Sequence, residues 1–235
     1  LSNGDLRAAL RLGTDRSALR AVATVHSPKL SPVQSLETPI ANGIYDSVDA
    51  MKQPAFDQKS AANKMTALGW KLNAKTGFRE KDGQRLSISL VTIANSDYTP
   101  VADALADQWR QLGVDVNLTK ADPSTADDEY LESRNYDVLV YDLHLGADPD
   151  ETAYWSSTQI ADHESNFANY SDRRSDLALA AGLRQTDALA REARYDTFVQ
   201  RWQENIPAIA LYQPKYYYVT TGDVRGLNSD DLVSP

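Results

Sequence analysis

There is no cysteine in the 235 residues. That excludes disulfides, thiolate catalysis and cysteine metal sites, and it is compatible with an oxidising compartment. Histidine is scarce: His26, His144 and His163 are the whole supply, scattered along the chain. No stretch approaches the roughly 20 apolar residues that span a bilayer. Leu1 opens directly into a polar, helix-like segment, so the expectation is that no secretory leader stands in this sequence. H-E-x-x-H, G-x-S-x-G, a Walker loop and G-x-G-x-x-G are all absent, so no cofactor is called for. Internal repeats and low-complexity segments are absent as well.

The composition that remains, 42% hydrophobic and 9% aromatic, is that of a folded chain with a sizeable core. Its length suits one large domain or two small ones. The net charge of −9 is unevenly spread. Residues 1–94 carry 13 Lys/Arg against 8 Asp/Glu, residues 95–165 carry 3 against 16, and residues 166–235 carry 8 against 9. An acidic middle disfavours nucleic acid, whose phosphates need basic partners. It attracts cationic groups, such as a peptide amine or a metal ion.

The most informative stretch is Tyr136 to Trp155, YDVLVYDLHLGADPDETAYW. Val138, Leu139 and Val140 form the unbroken apolar run of a strand covered on both faces. Pro149 fixes its own φ and biases Asp148 away from helix, so regular structure stops there. Asp148 or Asp150 then caps a short helix carrying Tyr154 and Trp155. A carboxylate-rich loop at the carboxyl end of a buried strand is where open α/β sheets place ligands. Asp-Pro-Asp is also common turn chemistry, and the residues alone leave both readings open.

Elsewhere the periodicity predicts a helix from Asn3 or Asp5 to Gly13, then a second, capped by Asp15, with Ala18, Leu19 and Val22 inward. Residues 24–54 lack clear periodicity and hold four prolines, as a segment wrapping a surface or forming part of a site does. A helix over 57–68 stops at Gly69, and 73–84 reads as a hairpin-like excursion. Strands are predicted at 86–93, 114–119 and 137–142, with crossover helices at 100–112 and 123–133, which is an α/β pattern. Later helices begin at Ser175 or Asp176, carrying Leu177, Leu179 and Leu183, and at Asp187, with Tyr195, Phe198, Val199, Trp202 and Ile206 at helical spacing. Ile209 and Leu211 alternate in a last strand, extended by Tyr216-Tyr217-Tyr218-Val219. Trp70, Trp109 and Trp202 are expected as core anchors, with Trp155 nearer a cleft. An enzyme reading takes Asp142, His144, Asp148 and Asp150 as a hydrolytic or metal-binding cluster.

An ordered series of stretches narrows the choice: LRAALRLGTDRSAL, ALGW, LSISLVTI, QWRQLGVDVNL, ESRNYDVLV, GADPDETAYW, NFANYSD, PAIALYQPKYYYV and finally VRGL. Together they resemble the second lobe of the extracellular oligopeptide/dipeptide-binding proteins of bacterial ABC importers, across essentially all 235 residues. The resemblance implies a periplasmic-binding-protein-like (type II) α/β lobe with a mixed sheet and flanking helices. It implies a single ligand-binding lobe over 1–235, the first lobe being absent. Leu1 stands about where the chain would enter the second lobe, and Gly226 about where it would return. A peptide or other small molecule would be the ligand and ABC permease subunits the partners. The whole receptor would be a lipoprotein at the extracellular face or in the periplasm, without catalysis. Leu145, Gly146 and Ala147 match the segment whose main chain pairs with an extended peptide, and Asp148 best matches the aspartate that meets the peptide amine. His144 fills the space before them. Arg134 matches an arginine that can face the cleft, Tyr98 lies in a loop that approaches the ligand's far end, and Trp155 borders the site.

Overall fold

The structure, a computed structural model, describes residues 1–24, 33–95, 97–146, 148–161 and 163–214. His26, Ala147, the tyrosines 216–218 and the VRGL stretch lie outside the described residues.

The first helices start where short polar side chains take up free N–H groups. Asn3 Oδ1 accepts the Leu6 N–H at 3.0 Å ahead of α1 (Gly4–Leu12). Asp15 Oδ1 accepts from Ser17 and Ala18 at 3.0 Å as α2 (Arg16–Thr24) begins. The proline-rich stretch contributes β1 (Gln34–Ser35) and α3 (Asp46–Ala50). Asp57 caps α4 (Gln58–Ala67), after which β2 (Lys71–Leu72), β3 (Arg79–Lys81) and β4 (Gln84–Arg85) form a small antiparallel sheet. This is the predicted excursion, with its turns at Gly77 and Gly83.

The sheet that positions the site follows. β5 (Ser87–Ile93), α5 (Thr99–Gln111), β6 (Asp115–Ala121) and β7 (Val138–Val140) give three parallel strands in the order β6-β5-β7. Register is fixed by pairs such as Ile88 with Val116 and Leu90 with Val138. The three predicted strands thus share one sheet. β5 is central and covered on both faces: Ile88 and Leu90 enter the main core with Trp109, Leu105, Leu10 and Met65, while Val91 packs on the other side with Ala121 and Ala126. The predicted crossover helix at 123–133 contains a π-helical segment, Asp127–Glu132.

α6 (Thr152–Trp155), α7 (Arg173–Arg184) and α8 (Ala188–Asn205) build a second core of Trp155, Tyr195, Phe198, Val199 and Trp202, closed by Ile40 and Val48. Leu177 and Leu183 of α7 are exposed, at 60% and 54%, and the helix buries Ser175, Ala178, Leu179 and Gly182. Small residues let α8 come close, to the point that a Cβ on Gly182 would stand 2.9 Å from the Tyr195 ring. The α7 cap is Asp172, which accepts the Ser175 N–H at 2.8 Å, rather than Ser175 or Asp176. The chain's later strand, β8 (Tyr212–Gln213), pairs with β1 in a separate two-stranded antiparallel sheet, while Ile209 and Leu211 pack against the main core. Trp109 and Trp202 are buried as expected, and Trp70 is only partly so.

Candidate functional site

Because β5 and β7 are parallel neighbours, the loops that follow them emerge at one edge of the sheet. Asn95 shapes the first. Its Oδ1 accepts the N–H groups of Asp97 at 3.0 Å and Tyr98 at 2.7 Å, a turn that presents the Tyr98 ring beside β7. There the charge of Asp142 acts on the Tyr98 phenol. Its ring lies 6.3 Å from Tyr141, and Tyr141 meets Phe167 edge-on at 5.4 Å. Arg134 closes the row, its guanidinium 5.0 Å above the Phe167 ring. Tyr141 is 39% exposed, a large ring left facing solvent.

Arg134 serves this row as a brace. It takes a left-handed backbone, φ 53°, and its guanidinium donates to Leu131 O and, at 2.6 Å, to Glu164 O. The Tyr136 hydroxyl holds Phe167 O at 2.9 Å.

Past β7 the chain from Asp142 to Gly146 is in neither helix nor strand. Among the described residues its main chain makes one hydrogen bond, from the Tyr154 hydroxyl to His144 O at 3.3 Å. His144 and Gly146 are exposed, and Leu145 is half-buried. Asp148 is also exposed, but its carboxylate is occupied: Arg191 Nη2, from α8, reaches its two oxygens at 2.8 and 2.9 Å. Its Oδ1 also accepts the Asp150 N–H at 2.9 Å. Asp150 in turn accepts from Thr152 N at 3.1 Å and Thr152 Oγ1 at 2.5 Å. The Asp-Pro-Asp carboxylates therefore shape the turn and tie it to α8. Asp150 thus takes up the first free N–H of α6, as one of the two predicted carboxylates, while Glu151, in the residue position just before the helix, makes no side-chain cap.

Trp155 corrects another expectation. It is 5% exposed and packs edge-on against Trp202 at 5.7 Å and Tyr170 at 6.5 Å, inside the second core. Its ring is too large and apolar to remain at the surface once α6 docks on α7 and α8.

Glu151 went unnoticed in the sequence. It is 2% exposed, and Oε2 has no hydrogen-bond partner. Burial, reinforced by the charges of Asp150 and Asp148, pushes its carboxyl up to about 8. Burial also pushes the Tyr98, Tyr141 and Tyr154 phenols up, and the Asp142 charge adds to each shift.

Asp142, His144, Asp148 and Asp150 do not converge as a catalytic or metal cluster. Two of the carboxylates are turn and ion-pair groups, and among the described residues no group of three or more His, Asp or Glu side chains is placed to hold a metal ion.

Comparison with known proteins places this geometry. Residues 1–163 match the family model described as bacterial extracellular solute-binding proteins, family 5 Middle. The oligopeptide-binding protein AppA of Bacillus subtilis is 22% identical over 192 residues, covering 81% of this chain and 35% of that protein. The nickel-binding periplasmic protein of Escherichia coli is 27% identical over 172 residues, covering 71% of this chain and 32% of that protein. Among solved structures, AppA of Bacillus subtilis in complex with a nonapeptide superposes with a TM-score of 0.79 at 21% identity, over 90% of this chain and 42% of that one. NikZ of Campylobacter jejuni in complex with Ni(L-His) gives 0.74 at 22% identity, over 89% and 41%. These structural likenesses establish a shared fold, and this chain spans about a third of the length of the first of these relatives. With the family model matched over 163 of its residues, the chain belongs to the bacterial extracellular solute-binding proteins, family 5.

Proposed function

We propose that this chain is one ligand-binding lobe of a two-lobe importer receptor and that its ligand is a peptide held in extended form. The observation that carries this reading is the stretch Asp142–Gly146. It is a half-exposed continuation of a sheet strand whose main chain is almost free of partners, lying beside an aromatic and acidic floor. An extended peptide adds to such a segment through main-chain bonds, whatever its sequence, while side chains enter water-filled space. His144, Leu145 and Gly146 supply the edge and Tyr98 and Tyr141 the floor, with Arg134 holding the floor in shape.

The family and the ligands named for its relatives support the reading: AppA was crystallised with a nonapeptide and a Thermus thermophilus relative with a pentapeptide. The remainder of the receptor, a first lobe preceding this one in the chain, supplies the opposite wall. Closure of the lobes about their hinge buries the ligand and marks the receptor for the permease subunits of an ABC transporter. Such a receptor works at the extracellular face or in the periplasm, anchored as a lipoprotein, with no chemical step of its own and no nucleic acid partner.

The test is an NMR titration of the ¹⁵N-labelled chain with trialanine. Shifts concentrated in residues 94–98 and 141–146 are expected. Shifts confined to other faces, or none at tens of millimolar peptide, would overturn the assignment.

A further inference from the structure

Two arginines of α1, one turn apart, reach the C-terminal end of α8. Arg7 is fully used there. Its guanidinium donates to Asn205 O at 2.6 Å and Ile206 O at 3.0 Å, and to Leu1 O and Ser2 O at 2.8 and 3.0 Å. Arg11 makes a single side-chain bond, from Nη1 to Gln203 O at 3.0 Å. Its Nε is buried without a hydrogen-bond partner, and among the described residues no carboxylate pairs with the guanidinium. Burial and the charge of Arg16 both disfavour the Arg11 cation, and no negative charge offsets them.

Arg11 lines a groove of about 740 Å³ between α1 and α8, together with Asp5, Lys52, Gln203, Glu204 and Ile206. The groove follows the seam of the two cores: α1 sends Leu6, Ala9 and Leu10 into the first, and α8 sends Phe198, Val199 and Trp202 into the second. From the α8 side, Gln203 Nε2 is a second buried donor without a partner. Both carboxylates of the groove are held by cations that do not line it, Asp5 by Lys64 at 3.0 Å and Glu204 by Arg201. The groove therefore holds donors in excess of acceptors.

We propose that this groove is a binding site for a small molecule bearing a carboxylate, seated on Arg11 and Gln203. Buried donors without an acceptor are rare, because they have lost water and gained nothing for it. A carboxylate supplies what is missing. With Nη1 taken by Gln203 O, the Nε–Nη2 edge of Arg11 is left, and its two parallel N–H groups match the two carboxylate oxygens. The Gln203 amide adds a donor from the facing helix, and Lys52 adds positive charge at the rim. The volume lies in the range of small-molecule sites, more than a lone ion fills. None of residues 94–98 or 141–146 lines it, so this site is separate from the peptide edge and does not depend on that reading. An occupant would bridge α1 and α8 and so tie the two cores together.

The test titrates the ¹⁵N-labelled chain with sodium succinate, with inorganic phosphate and sodium chloride at equal ionic strength as references. Succinate is expected to shift the Arg11 Nε–H and Gln203 side-chain NH2 resonances at millimolar concentration, while the amides of 94–98 and 141–146 stay in place. Arg11→Lys keeps the charge but loses the fork, and it should weaken succinate about tenfold. Gln203→Met keeps the size but removes the donor, and it should weaken succinate about threefold. Unchanged remote resonances verify the fold of each variant, and if Arg11→Lys does not fold, Gln203→Met decides alone. Unchanged affinity in a folded variant, or succinate shifts no larger than those of chloride, would overturn the site. Phosphate binding more tightly than succinate would overturn the carboxylate assignment.

Discussion

Replacing Glu151 by glutamine changes one oxygen for an NH2 group in a place that water does not reach. Glu151 is 2% exposed, Oε2 finds no partner, and burial pushes its carboxyl up to about 8. In the unfolded chain a glutamate titrates near 4.3. The folded state thus holds a proton that the unfolded state releases, so stability is fully present below about pH 4 and falls as pH rises toward 8. Each pH unit in that window removes about 1.4 kcal/mol, which gives roughly 3–4 kcal/mol lost by pH 7 and about 5 kcal/mol above pH 8. Glutamine carries no ionisation and so has no such slope. Glu151→Gln is therefore expected to match the parent near pH 4.5 and to exceed it increasingly at higher pH. At roughly 2–4 °C per kcal/mol for a chain of this size, the difference in Tm should reach about 10 °C at pH 8.5. Thermal melts of both proteins from pH 4.5 to 9, followed by circular dichroism, measure it. A Tm difference that stays constant with pH, or a parent that gains stability from pH 5 to 8 relative to the variant, refutes the buried neutral carboxyl.

Other consequences follow from the same contacts. Gly182→Ala drives a methyl to within 2.9 Å of the fully buried Tyr195 ring. Overpacking there should cost about 1–3 kcal/mol in urea unfolding, more than the helix propensity gained. Asp172 accepts from Arg201 Nη2 at 2.6 Å and from Ser175 N, and these bonds hold its carboxyl down to about 2. Its contribution is present above about pH 4 and lost as pH falls toward 2. Asp172→Asn should cost about 1–2 kcal/mol at neutral pH and nothing measurable at pH 2. The isolated chain offers one wall of a site that would otherwise bury about 70–90% of its ligand, while immobilising the ligand costs the same. Calorimetric titration should therefore show affinity near millimolar, and micromolar binding by this chain alone would contradict the two-lobe reading.

Much of this protein was set by local rules. The strands at 86–93, 114–119 and 137–142 follow from apolar runs and alternation, and the helix starts at Asn3, Asp57 and Asp187 from side chains that reach an N–H three residues on. Such signals act within a few residues, so a sequence displays them directly. The order of landmarks along the chain was enough to indicate the family. What the sequence could not decide was which polar group meets which across long separations. Asp148 was singled out as a ligand carboxylate by the resemblance, with no local sign that Arg191, 43 residues away, pairs with it. Tyr98, from the loop after β5, was brought against Tyr141, after β7, only by the parallel pairing of those strands. Trp155 was misplaced, and the exposure of Leu177 could not be foreseen, for a related reason: hydrophobicity says that a side chain benefits from burial, whereas the space left by Gly182, Ala178 and Tyr195 decides which one is buried. Charge pairing and close packing depend on distances between elements far apart in the chain, and only the tertiary structure sets those distances.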